Sequence, residues 1–139
     1  MNILVDTCVW SLAFRRQAIA THAAVRELGE LIAEGRAQMI GPVRQELLSG
    51  VPKTGQFHLL RDRLRAFPDL GIETEDHELA AEYFTKSRAA GIQGSNTDFL
   101  ICALSSRRSL PILTTDRDFE NFAQVLPFIL HRPRTTEES

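Results

Sequence analysis

The chain has 139 residues, 43% hydrophobic and 24% charged, with a formal net charge of −2. That is enough for one domain with a sizeable core, and the balance argues against the disordered and membrane classes. The near-neutral charge excludes a broad electrostatic footprint for nucleic acid, and no apolar run approaches the roughly 18 residues of a membrane helix. The first six residues, ending Ile3-Leu4-Val5-Asp6, lack a basic patch and meet an acid early, so no secretory signal is expected. A cytoplasmic protein follows as the expectation. Cys8 and Cys102 then read as reduced thiols packed as small hydrophobes.

Ile3-Leu4-Val5 is apolar without alternation, as in a strand buried on both faces of a parallel sheet. Residues 7–14 read as one or two helical turns. Residues 18–34 form an amphipathic helix with Val25, Leu28, Leu31 and Ile32 on one stripe, stopped by Gly35. A second strand is predicted at 37–40, broken by Gly41-Pro42, with Pro42 at the start of a helix to residue 49 that carries Glu46 at the edge of its buried stripe. A loop spans 51–55, and Phe57, Leu60 and Leu64 mark the next helix, with Arg61 and Arg65 on its other side.

Residues 71–73 are a weak strand candidate. Glu75, Asp76 and Glu78 then open a helix that ends before Gly91. After a loop at 92–96, the run from Asp98 to Leu104 is apolar all round beyond its first residue, the mark of a buried helix, which Asn96 or Thr97 could cap. Strands are predicted at 111–114 and 128–130, with a short helix between them carrying Phe119 and Phe122. The alternation predicts one α/β domain over residues 1–131, a mostly parallel sheet of four to five short strands flanked by helices, and a polar tail at 132–139 that frays.

Asp6 and Asp116 directly follow strands, which sets them on the carboxyl rim where open parallel sheets bind ligands. Asp98 and Glu46 ride on helices beside that rim. Each acid alone has a plain explanation as a cap, a partner of a helix dipole or a surface charge. Together, near the interior, they must be paired, protonated or bound to metal, and no Lys or Arg stands beside Asp6 or Asp98 in sequence. Oxygen-only ligands select Mg²⁺ or Mn²⁺, and no Cys/His spacing suggests zinc. His22, His58, His77 and His131 sit singly and read as structural or solvated. Such a cluster suits phosphodiester hydrolysis, with Arg15-Arg16, Arg61/Arg63/Arg65, Arg107-Arg108 and Arg132/Arg134 available for phosphates, although a solvated face is the ordinary role of such clusters.

Four segments in this order, Ile3-Leu4-Val5-Asp6-Thr7, Glu46-Leu47-Leu48-Ser49-Gly50, Thr97-Asp98-Phe99-Leu100-Ile101-Cys102-Ala103 and Leu113-Thr114-Thr115-Asp116-Arg117-Asp118-Phe119, make the chain resemble the PIN-domain ribonucleases, and within them the VapC-type toxins of toxin–antitoxin pairs. The resemblance covers nearly the whole chain. It implies a PIN-like nuclease domain with Mg²⁺- or Mn²⁺-dependent endoribonuclease activity, with Asp6, Glu46, Asp98 and Asp116 as catalytic and metal-binding residues. Asp118 would be accessory, and Thr7 and Thr114 would orient carboxylates or a water. It further implies an RNA substrate, a homodimer, and a small cognate antitoxin that binds the active groove in a heterotetramer or larger assembly. Cys102 stands where the family often has Ala.

Two other enzyme classes begin with a strand ending in Asp. A haloacid-dehalogenase-like phosphatase needs a second Asp where this chain has Cys8, and a receiver-type phosphoacceptor needs a late Lys where only Lys53 and Lys86 exist. A non-catalytic module docking RNA or a protein is the remaining alternative, although a surface built only to bind RNA gains nothing from carboxylates.

Overall fold

In the computed structural model, residues 1–14 and 22–135 are described. The first part of the helix expected at 18–34, the Arg15-Arg16 pair and the last four residues of the tail lie outside the described residues. Strand β1 (Ile3–Val5) occupies the centre of a parallel sheet in the order β2-β1-β3, flanked by β2 (Ala37–Gln38) and β3 (Ile112–Leu113). Leu4 is the hinge of the register, pairing with Gln38 on one side and Ile112 on the other. All three β1 residues are fully buried, as their unbroken apolar run requires of a strand covered on both faces.

Among the described residues three strands are paired, against the four to five expected. Single parallel bridges, Met39 with Asp69 and Ile112 with Leu130, stand at its two edges where further strands were predicted. Residues 71–73 form no strand, because Glu73 leaves the sheet to begin α5 (Thr74–Ala89) through a capping box with Asp76. At 128–130 the ladder cannot lengthen, since Pro127 and Pro133 on either side offer no backbone N–H. His131 N–H still reaches the Ile112 carbonyl at 2.7 Å, so this segment runs alongside β3.

The helices are α1 (Thr7–Ala13), α2 (Ala23–Ala33), α3 (Gly41–Ser49), α4 (Thr54–Leu64), α5, α6 (Asn96–Arg108) and α7 (Asp118–Phe122). Helix α4 begins at Thr54 and takes in the last two residues of the loop expected at 51–55. The run Phe99 to Ser105 in α6 is buried throughout, as its composition predicts. The cap of α6 is Ser95 rather than Asn96 or Thr97. Its hydroxyl accepts the Asp98 N–H at 3.1 Å while Asp98 accepts the Ser95 N–H at 3.0 Å. Reciprocal satisfaction of two end donors decides between neighbouring polar residues of similar capping strength.

Aromatic rings tie the later helices together. Phe99 meets Phe84 of α5 edge-on at 5.4 Å and Phe122 of α7 at 5.0 Å, and Phe122 meets Phe119 at 5.1 Å. The loop before α6 passes so close that a Cβ on Gly94 would lie 2.6 Å from the Phe122 ring. The start of the tail is held rather than frayed. Arg134 binds Glu27 at 2.8 Å and Glu34 at 2.9 Å, and His131 meets Glu27 at 2.6 Å. Burial alone would raise the Glu27 carboxyl, but hydrogen bonds from His131 and Arg134 outweigh it and hold the group below its ordinary range. His22 caps α2 by accepting the Ala24 N–H, while His58 and His77 are exposed.

Candidate functional site

Asp6 leaves β1 at the carboxyl end of the central strand and is 6% exposed. One carboxylate oxygen accepts the Thr7 N–H at 2.7 Å, which caps α1. The other accepts the Thr114 hydroxyl at 2.8 Å, and the Thr114 oxygen in turn accepts the Asp116 N–H at 3.0 Å. One hydroxyl at the end of β3 thus joins Asp6 to the loop bearing Asp116. Opposite, the Thr7 hydroxyl donates to Glu46 at 2.5 Å, which links Asp6 through its neighbour to exposed Glu46 on α3. Asp116 also accepts the Asp118 N–H at 2.9 Å, a turn that starts α7 and leaves the Asp118 side chain exposed.

Charges connect what hydrogen bonds do not. Burial pushes the Asp6 carboxyl above its ordinary range against the hydrogen bonds from Thr114, Thr7 and Cys8, and the charge of Asp98 adds to the rise. Burial likewise raises Asp98 against its hydrogen bonds from Ser95, with Asp116 and Glu46 adding to the rise. The charge of Asp98 is therefore coupled to each of the other three acids along one rim. Among the described residues no Lys or Arg forms an ion pair with any of them.

The expectation of a tight cluster needs correction. Among the described residues no three His, Cys, Asp or Glu side chains stand close enough to hold a metal ion together. The caps explain the spacing, because Asp6 and Asp98 are each turned toward the start of their own helix. The donor chemistry still fits a hard divalent cation. Every donor is a carboxylate oxygen, each ionised carboxylate has about four acceptor sites of which the hydrogen bonds fill only some, and among the described residues no side-chain cation pairs with them. Ligation requires the side chains to close around the ion.

Two further contributors were not anticipated. Cys8 is not merely a packed hydrophobe: its thiol lies 3.4 Å from both Asp6 and the Thr114 hydroxyl and 3.2 Å from the Thr115 hydroxyl. Burial, then the charge of Asp6, push that thiol above its ordinary range, so it remains protonated and donates. Its position two residues beyond Asp6 was the available signal. Ser95 is the other, marked by its three-residue spacing from Asp98.

A parallel sheet whose carboxyl rim gathers acids without matching cations defines an α/β protein with a candidate cation-dependent site. The chain belongs to the PIN domain family, which matches residues 3–125. Its fold is similar to that of a chain in the crystal structure of FitAcB from Neisseria gonorrhoeae, at 22% identity and TM-score 0.72, covering 93% of this chain and 96% of that one. VapBC2 from Rickettsia felis, solved with a DNA fragment from its promoter, gives 18% identity, TM-score 0.72 and coverage of 94% and 98%. FitAB bound to the IR36 DNA fragment gives 19%, 0.72, and 97% and 99%. No curated protein matches the chain in sequence.

Proposed function

We propose that this protein is a Mg²⁺- or Mn²⁺-dependent endoribonuclease, the toxin component of a toxin–antitoxin pair acting in the cytoplasm. PIN domains are generally nucleases, and the similar folds come from toxin–antitoxin PIN proteins. The observation that carries the reading is the rim itself, where buried Asp6 and half-buried Asp98 repel each other, Asp98 also faces the charges of Asp116 and Glu46, and no cation among the described residues pairs with them. An arrangement that costs folding energy in isolation is explained when a divalent ion completes it.

In this reading Asp6, Glu46, Asp98 and Asp116 hold the ion. When bound, the ion supplies an acidified water and neutralises phosphate charge. The chain's own residues set the stage. Thr114 fixes Asp6 relative to the Asp116 loop, Thr7 holds Glu46 toward the rim, and the Ser95 box sets the direction of Asp98. Asp118 is accessory, fixing the turn through its backbone. The partner is a cognate antitoxin covering the same rim, in a homodimer-based assembly.

Purified protein incubated with RNA is expected to cut internal phosphodiester bonds with Mg²⁺ or Mn²⁺ and to stop when a chelator is added or the antitoxin is supplied. Cleavage that persists in chelator excludes the metal-dependent reading. No cleavage with either ion leaves the non-catalytic docking module as the better account.

A further inference from the structure

A groove of about 240 Å³ runs from the acid-bearing rim toward the tail, lined by Thr114, Asp116 and Arg117 on one side and by His131 and Arg132 on the other. The backbone explains why these meet. Leu130 bridges Ile112 in parallel, so Arg132 lies two residues beyond Leu130 as Thr114 lies two beyond Ile112, both heading for the carboxyl rim. The anchoring of Arg134 and His131 on Glu27 keeps this segment in place.

The two arginines of the groove differ from the other described arginines. Arg36, Arg44, Arg61, Arg65, Arg107, Arg108 and Arg134 are paired with carboxylates, Arg63 and Arg88 lie over phenylalanine rings, and Arg26 is engaged as well. The guanidinium groups of Arg117 and Arg132 make no ion pair, hydrogen bond or ring contact among the described residues, and both are exposed. Two uncommitted fork-shaped cations in one groove match the geometry of phosphate oxygens. Glu120 also lines the groove. The volume lies below the roughly 300–1,000 Å³ of small-molecule pockets, which suits a passing strand better than an enclosed ligand.

We propose that this groove is a phosphate-binding track for the RNA strand on one side of the carboxylate rim, with Arg117 and Arg132 as its two anchors. The inference rests on the nuclease reading for the identity of the strand; the binding itself needs no cleavage. Backbone phosphates give position without base identity, so the track sets register on the substrate rather than sequence preference.

The test is a salt series of binding to a labelled oligouridylate in chelator, where nothing is cut by a metal-dependent enzyme. The double variant R117A/R132A is expected to lose about 1.4 from the slope of log affinity against log salt, two phosphates at about 0.7 each for a single strand, and to bind roughly tenfold more weakly at low salt. R117K/R132K restores the slope, because charge sets it. Arg36→Ala is the control: Arg36 pairs with Glu34 and its carbonyl meets Ile3 at the amino end of β1, away from the rim, so its slope stays at the wild-type value. An R117A/R132A slope equal to wild type, with unchanged circular dichroism, overturns the proposal. So does a variant that keeps the RNA slope and loses only the antitoxin, which assigns the groove to a protein partner. Wild-type protein that binds with the full slope yet cuts nothing in Mn²⁺ refutes the nuclease reading and leaves the track standing.

Discussion

Asp98→Asn is expected to abolish metal-dependent RNA cleavage and leave the fold intact. The substitution removes one negative charge and one proposed ligand oxygen from the rim, yet the amide oxygen of Asn can still accept the Ser95 N–H that closes the cap of α6. Loss of an outer hydrogen-bond partner typically costs a metal site about 10–100-fold, so loss of a direct ligand should exceed that and reach the background of the assay. The measurement is the single-turnover cleavage rate in Mn²⁺, beside a thermal melt in chelator. A variant that melts like wild type and cuts within tenfold of it removes Asp98 from the proposed set. The same comparison for Thr114, which joins Asp6 to the Asp116 loop, should give an intermediate loss.

Asp76→Ala is expected to be strongly destabilising although it lies away from the rim. The Asp76 side chain is 0% exposed, accepts the Glu73 N–H at 2.8 Å, and meets Arg107 at 2.6 Å and Arg108 at 2.5 Å. It therefore closes the start of α5 and pins it to the end of α6, the helix that carries Asp98. Removing one member of a buried pair costs about 3–5 kcal/mol, and the lower end applies here because the arginines are partly exposed, at 33% and 23%, and recover some hydration. About 3 kcal/mol corresponds to a fall of roughly 10 °C in Tm for a chain of this size.

The pH dependence of that contribution has a definite sign. Burial works to raise the Asp76 carboxyl, but the Glu73 N–H and the two arginines outweigh it, so its folded value lies below the ordinary 3.8. A depressed carboxyl contributes stability that is fully present above its unfolded value and is lost as pH falls through the folded one. Wild-type protein should lose part of its stability below about pH 4, and the Ala variant should lack that part. A fall in Tm of less than about 3 °C at pH 7 contradicts this account of the α5–α6 junction.

What the chain discloses about its own structure follows the reach of each interaction. The unbroken apolar runs of β1 and α6 specify burial locally, and both are buried as read. Capping is legible only when both partners are considered, which is why Ser95 emerges as the cap through its pairing with Asp98, three residues on. At 71–73 and 128–130 the local sequence does not reveal whether a ladder can continue. A capping box ends one and flanking prolines limit the other. Pairings across long separations, such as Glu27 with Arg134, leave no local pattern at all.

The rim is legible to the same degree. Strand ends and helix starts point to Asp6, Asp98 and Asp116 sharing an edge of the sheet, and the charges of Asp6 and Asp116 are each coupled to that of Asp98. Their separation was not legible. It depends on which backbone N–H each carboxylate caps, a choice made by rotamers rather than by residue type. The thiol of Cys8 among these groups follows from the approach of β3, which brings Thr114 and Thr115 to it from more than a hundred residues away.

The most direct test of the shared-ion claim is a crystal grown with Mn²⁺ and measured at its absorption edge. An anomalous peak with oxygens of Asp6, Asp98 and Asp116 at roughly 2.0–2.2 Å, and Glu46 at or next to the ion, is the expected result. A saturated crystal with no peak at this rim, Asp6 and Asp98 still turned to the starts of their own helices, contradicts the account.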